Sequence, residues 1–231
     1  MNASRLNWKE VEEITAKKQV IIIPIGSTEQ HGLHLPLETD AIIAREATEK
    51  VCAKYRILRT PTIHFSLSQE HRDFPGTIFL KKSTLRKLLA DVCASLARHG
   101  FKKIVLFNTH GGNDAFLKKF RGELERDCGA KVFLVNSWDF IEGGDHAGEV
   151  ETSLMLFLEP KLVKKKNIVD ERPAFFRKNF KKIEDRKVSW KKYTESGVAG
   201  KPSTASAKKG KKFFAQIVEG LEEKLKEIEE A

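Results

Sequence analysis

The sequence predicts an α/β fold in which a mainly parallel sheet is covered by helices on both faces. Three observations carry this. Apolar runs at Val20 to Ile25 (VIIIPI), Lys103 to Asn108 (KIVLFN) and Lys131 to Asn136 (KVFLVN) read as strands buried on both sides. Segments of helical periodicity lie between them, and alternating strand and helix is the order that produces parallel crossovers. The connections are short and no linker or internal repeat interrupts the 231 residues, so one domain with a sizeable core is expected.

VIIIPI is the first strand. Asp40 to Tyr55 follows as a helix, with Ile42, Ile43, Ala47 and Val51 near one stripe. Ile57 to Ile63 and Thr77 to Leu80 are short strand candidates. Ser83 is read as the cap of a helix that runs to about His99, where Gly100 ends it. KIVLFN is the next strand, Asn113 to Cys128 the next helix, and KVFLVN the strand after it. Beyond Pro160 the order weakens. Lys164 to Thr194 is lysine-rich, with Phe175, Phe176, Phe180, Trp190 and Tyr193, and reads as an excursion packed at a subunit interface or over the active site. From about Thr204 an amphipathic helix closes the chain, with Ile217, Leu221, Leu225 and Ile228 at helical spacing. Lys208, Lys209, Lys211 and Lys212 crowd its start, against the helix dipole.

Composition narrows the function classes. Hydrophobic residues make up 40% and charged residues 32%, an ordinary globular balance. No apolar run approaches the roughly 20 residues needed to span a bilayer. The start, MNASRLNWKEVEEITAKK, carries acidic residues and no apolar h-region, so a cytoplasmic protein without a membrane partner is expected. Cys52, Cys93 and Cys128 are odd in number, widely spaced and without a CxxC pair, and read as small buried residues. The net charge of +10 suits nucleic acid, an acidic surface or an anionic small substrate, and equally a Lys/Glu-rich surface of heat-adapted type. No nucleic-acid motif or interleaved aromatic–basic patch is present, so a nucleic-acid partner is not expected.

The chemistry gathers at three places. Directly after the first strand comes GSTEQHGLHLPLETD. Glu29 and His31 are two residues apart, so on an extended strand end they point to one side. Asp40 opens the next helix, where an anion is favoured. KIVLFN runs into Thr109-His110-Gly111-Gly112-Asn113, which places His110 at the carboxyl end of a second strand, where open α/β sheets bind ligands. The third place, after KVFLVN, is Gly144 to Ser153, with Asp145, His146, Glu149 and Glu151 at a helix start. A lone loop histidine is as a rule a surface or core residue. Recurrence at three strand ends of glycine, histidine and a carboxylate or amide argues instead for divalent-cation ligands. A basic scaffold with a structural metal is the alternative of another class, but closed structural zinc sites are usually rich in cysteine.

At these residues the chain resembles the creatininase (creatinine amidohydrolase) family: GSTEQHGLHLPLETD, FPGTI at Phe74 to Ile78, NTHGGN, HAGEVETS and, more loosely, GVAGKPSTASAKKG. The resemblance runs from about residue 20 to 230. It implies an α/β/α sandwich, often hexameric, with two divalent ions (Zn²⁺, Mn²⁺ or Fe²⁺). Carried over by motif, it implies Glu29, Asp40 and His110 on one metal, His31 and the bridging Asp40 on the other, and His146 as the acid/base residue. Creatininase has a metal-binding glutamate where this chain has Gly112. Either that coordination position stays open, or a carboxylate from the third stretch fills it, Glu151 before Glu149. The family includes creatinine hydrolases, a mycofactocin peptide-processing branch and an archaeal formamidopyrimidine-ribonucleotide deformylase branch. Ile141, Glu142 and Gly143 stand where creatininase has a substrate-covering tryptophan, and Trp138 is near but differently placed. That weakens creatinine as the substrate. The short lysine-rich chain and SQEHRDFPGTI (Ser68 to Ile78) look more like the deformylase branch, for which the expected substrate is a phosphorylated pyrimidine nucleotide.

Overall fold

The structure, a computed structural model, describes residues 1–173 and 188–230. Its elements in chain order are α1 (Trp8–Thr15), β1 (Val20–Ile25), α2 (Thr39–Tyr55), β2 (Leu58–Arg59), α3 (Lys82–Arg98), β3 (Lys103–Asn108), α4 (Asp114–Cys128), β4 (Lys131–Asn136), α5 (Glu149–Leu158) and α6 (Ala207–Glu230). The strands form one parallel sheet in the order β2-β1-β3-β4. Each passage between consecutive strands goes through a helix, as parallel pairing requires.

Strand alternation decides the layers. Ile22, Val105, Phe107 and Val135 face one way and pack against α2, α5 and α6 through residues such as Ala47, Leu154 and Leu221. Ile21, Ile23, Ile104, Leu106 and Val132 face the other way, against α3 and α4 through Leu85, Leu89, Leu117 and Phe120. All six residues of β1 are buried, as a strand covered on both faces should be. The result is the expected three-layer α/β/α arrangement. Pro24 is tolerated in this central strand because its carbonyl accepts from Ile63 on the β2 side, where β2 itself has already ended.

Several boundaries differ from the sequence reading. The Ile57 to Ile63 candidate pairs only at Leu58–Arg59 and touches β1 again at Ile63, because the Thr60-Pro61-Thr62 segment leaves the ladder. Thr77 to Leu80 is not a strand: it makes isolated bridges, Thr28 to Ile78 and Ser66 to Phe79, on irregular neighbours. Ser83 does not cap α3, which starts at Lys82 with Lys81 as its cap residue. α6 starts at Ala207 rather than Thr204. Pro202–Thr204 form a 3₁₀ turn, and the Ser206 hydroxyl accepts from the Lys209 amide as the cap. The reading made no helix of α1, which the reciprocal Asn7–Glu10 capping box opens. Cys52 and Cys93 are buried and Cys128 half-buried, all free. No helix of the described residues is long and apolar enough to cross a membrane.

Of the Lys164 to Thr194 excursion, Phe175, Phe176 and Phe180 lie outside the described residues. Trp190 is described, and it packs on His71 and His146, so this part of the excursion lies over the site rather than away from it.

Candidate metal centre

The carboxyl ends of β1 and β3 and the amino ends of α2 and α5 meet in one place. Gly26 sets the approach of β1 to α2: a Cβ there would sit 2.5 Å from the Ala41 Cα, so only glycine lets the strand end lie on the first turn of α2. That contact brings Asp40 beside the loop that follows β1. The Glu29 amide donates to the Leu37 carbonyl (2.9 Å), which closes the loop and turns Glu29 inward. At the end of β3 the Asn108 side chain clamps the turn that bears His110. Its Oδ1 accepts from the His110 amide (3.2 Å) and from Asn113 (3.1 Å), while its Nδ2 donates to the His110 carbonyl (3.1 Å). Asn113 in turn accepts from the Leu67 amide (3.1 Å), tying in the 66–71 loop.

All six residues singled out from the sequence converge here. His110 Nδ1 lies 3.2 Å from Glu29 Oε2 and 3.1 Å from Asp40 Oδ2. His31 Nε2 lies 3.4 Å from the other Asp40 oxygen and 3.8 Å from Glu151 Oε2. His146 Nδ1 lies 3.8 Å from Glu29 Oε1. Among the described residues, three groups have ligand atoms close enough to hold an ion: Glu29, His31 and Asp40; His31, His146 and Glu151; and Glu29, His71 and His146.

The hydrogen bonds fix which imidazole nitrogen is available. His31 Nδ1 donates to the Glu29 carbonyl (3.1 Å) and His110 Nε2 to the Leu67 carbonyl (2.8 Å), so each turns an unprotonated nitrogen to the cluster in its neutral form. His146 Nε2 lies 2.8 Å from both the Gln30 carbonyl and the Gln30 side-chain nitrogen; a proton donated to the carbonyl leaves the Nδ1 lone pair inward. The Gln30 amide is oriented by two backbone groups, accepting from Gly32 and donating to Gly197. Its second hydrogen goes to His71 Nδ1 (3.0 Å). Neutral His71 therefore carries its proton on Nε2, 3.4 Å from Glu29 Oε1. It presents a donor to that carboxylate, whereas the other three present lone pairs.

Without a cation, the carboxylates keep protons on two of these imidazoles. Burial opposes a charge on His31, but Asp40 and Glu151 outweigh it and raise its pKa to about 10. His110 is raised well above the ordinary histidine value, as Glu29 and Asp40 outweigh burial. Burial, reinforced by neighbouring imidazoles, pushes His71 and His146 well below that value, so both are neutral. Burial raises Glu151, with Asp40 adding to it. Among the described residues, Glu29 Oε1 and Oε2, His31 Nε2 and Asp40 Oδ2 are buried without a hydrogen-bond partner. Buried polar atoms are rarely left so. Two carboxylates and inward lone pairs are a donor set that a divalent cation satisfies and that water or protons satisfy less completely.

Of Glu149 and Glu151, the second faces the cluster. Glu149 pairs with Lys209 across the starts of α5 and α6, away from the cluster, which also accounts for one of the lysines at the wrong end of α6. Glu151 points in, its Oε2 accepting from the Ala147 amide at 2.5 Å.

His71, Glu70 and Trp190 were not picked out as site residues. His71 stacks on His146 with ring centroids 4.5 Å apart, and Trp190 lies 4.5 Å from His71 and 4.8 Å from His146. The signal was present in the SQEHRDFPGTI motif, but it sits on a 3₁₀ turn, Gln69–His71, that follows no strand end. His34 is a structural residue, with Nε2 2.8 Å from the Thr152 hydroxyl.

Gly112 has a steric reason. A Cβ there would collide with His110 Nε2 and lie 2.6 Å from both Glu70 Oε1 and the Leu67 carbonyl. Glu70 thus occupies space that a side chain at 112 would need. Gly112→Ala is expected to destabilise the fold by about 1–3 kcal/mol through overpacking. It should also weaken metal binding, because His110 must turn away. Thermal melting and a metal titration check this; unchanged values in both would show that the turn has room.

The family model described as creatinine amidohydrolase (creatininase) matches residues 4–225. Creatinine amidohydrolase of Pseudomonas putida is 29% identical, over 96% of this chain and 95% of that protein. Mycofactocin precursor peptide peptidase of Mycolicibacterium smegmatis is 31% identical, over 96% and 91%. The formamidopyrimidine ribonucleotide deformylase of Methanothermus fervidus is 28% identical, over 93% and 79%. A crystal structure of creatininase superposes with a TM-score of 0.88 at 29% identity, covering 98% of this chain and 97% of that one. Related creatininase structures are titled as Zn-Zn and Mn forms.

Proposed function

Because the chain belongs to the creatininase family of metal-dependent amidohydrolases, which act on C–N bonds, we propose that Glu29, His31, Asp40, His110 and Glu151 hold two divalent cations for amide hydrolysis. The observation that carries this reading is the set of buried carboxylate and imidazole atoms on Glu29, His31 and Asp40 that crowd together with His110 at 3.1–3.4 Å without well-formed hydrogen bonds. Glu29 Oε2, Asp40 Oδ2 and His110 Nδ1 form one half of the site. His31 Nε2, Asp40 Oδ1 and Glu151 Oε2 form the other, with Glu151 in the part that the glutamate missing at Gly112 plays in creatininase. Asp40 bridges the two.

Held by these residues, Zn²⁺, Mn²⁺ or Fe²⁺ would supply Lewis-acid chemistry, activating an amide carbonyl and acidifying water. His146 handles the proton. Neutral, and with its Nδ1 lone pair inward, it takes a proton from the attacking water and returns it to the departing amine. The Gln30 carbonyl holds the ring in that orientation, and His71 and Trp190 pack against it. His71, with Nε2–H facing Glu29, is a positioning residue for that carboxylate.

The cavity beside the cluster measures about 390 Å³ and includes Trp138 and Trp190 in its wall. An aromatic cover is therefore present, supplied from positions other than the one creatininase uses. Creatinine amidohydrolase and the mycofactocin peptidase match more of this chain, at slightly higher identity, than the deformylase does. This favours an uncharged amide or lactam over the phosphorylated formamidopyrimidine that SQEHRDFPGTI suggests. The deciding experiment supplies anaerobic protein with Fe²⁺, Mn²⁺ or Zn²⁺ and offers creatinine, short peptide amides and the formamidopyrimidine ribonucleotide 5′-monophosphate. Metal-dependent hydrolysis of an uncharged amide is expected. Formate release from the nucleotide alone would overturn the preference and restore the deformylase reading.

A further inference from the structure

The cavity's lining is of two kinds. One is the charged cluster. The other is apolar, with Trp138 and Ile141 half-buried and Ile43, Val150, Leu154 and Ile217 almost wholly buried. Four of these, Ile43, Val150, Leu154 and Ile217, belong to the buried core on the α2/α5/α6 side of the sheet, and Ile141 packs against it. The helices that carry the ligands also carry this wall. Ile43 lies one turn after Asp40 on α2. Val150 and Leu154 share a face of α5, and Glu151 stands between them. Ile217 completes the wall from α6. The apolar lining therefore begins within about one helical turn, ~5 Å, of the cluster.

A native core is close-packed, and space left between aliphatic side chains is costly and offers water few partners. Space of this kind opening onto a reactive cluster is suited to the part of a substrate that does not react. We propose that this apolar lining receives an uncharged apolar substituent, aliphatic or aromatic, of the amide that is cut. The enzyme's substrates would then be amides with a bulky apolar group on one side of the scissile bond, rather than small polar lactams or formamides. The inference rests on the two-metal reading, since it needs the carbonyl anchored at the cluster.

The test uses the metal-loaded protein and straight-chain hydroxamates, from acetohydroxamate to hexanohydroxamate, which chelate a metal through a fixed head and differ only in tail length. Calorimetric affinity is expected to rise about fourfold per methylene. Ile217→Trp, and separately Leu154→Phe, should flatten the series while leaving acetohydroxamate binding unchanged. Because the wild-type series is itself the measurement, failure of one variant to fold does not remove the test. Tail-independent binding in the wild type would overturn the apolar-pocket inference and leave the two-metal reading standing. No hydroxamate binding at all would overturn both.

Discussion

Asp40→Asn is expected to abolish stoichiometric binding of both metals and to lower kcat/KM by roughly 10³-fold or more, beyond the 10–100-fold typical of an outer-shell partner. The substitution keeps the shape and removes the charge. Asp40 is the carboxylate that both halves share, with one oxygen 3.4 Å from His31 Nε2 and the other 3.1 Å from His110 Nδ1. Burial by itself would raise its pKa, yet His31 and His110 outweigh that and hold it below the usual carboxylate range, so it is ionised and available to a cation. The fold should survive, since Asp40 anchors α2 through its backbone as well, where its carbonyl accepts from Thr109 at 2.8 Å. Circular dichroism with metal analysis separates the two effects. Retention of two metals per chain in this variant would show that the ions bind elsewhere.

His146→Gln should behave differently. Turnover is expected to fall by about 10²–10⁴, the usual contribution of a positioned acid/base group. Bound metal should stay at its wild-type level. The prediction is exacting because His146 belongs to two of the groups able to hold an ion. It rests on the role that the family resemblance gives His146, whose Nδ1 stands 3.8 Å from Glu29, farther than the His110 contacts. Loss of one metal equivalent in this variant would make His146 a ligand and leave the proton transfer to another group. His71 would then be the first candidate, being the other neutral imidazole in contact with Glu29.

Much of this was legible in the sequence, and physical causes separate what was from what was not. VIIIPI and KIVLFN kept their boundaries as β1 and β3, because a strand buried on both faces must be apolar throughout; KVFLVN kept its bounds as β4 but is an edge strand whose Phe133 and Leu134 are only half-buried, not buried on both sides. Glu29, His31, Asp40 and His110 were legible because they sit directly after strands or at a helix start, where local geometry fixes their direction. His71 was not. Its place depends on Gln30, 41 residues away in sequence, and Gln30 in turn reaches His146 across 116 residues. No periodicity encodes such contacts. The apolar lining of the cavity was hidden for another reason. Ile43 and Ile217 read correctly as buried, but a pattern of burial does not distinguish a core position from the wall of a cavity. Thr77 to Leu80 failed as a strand because a short apolar run also serves to bridge two irregular segments.

The most direct test of the central claim is calorimetric titration of metal-free protein with Zn²⁺ or Mn²⁺ at pH 7, repeated in buffers of different ionisation enthalpy. In the metal-free fold, His31 and His110 have raised pKa values and hold protons at that pH. A metal must displace those protons, so binding should release them and tighten as pH rises. Two ions per chain, bound with proton release and lost in Asp40→Asn, is the result this account predicts. Binding of a single ion, or of two without proton release, would contradict it.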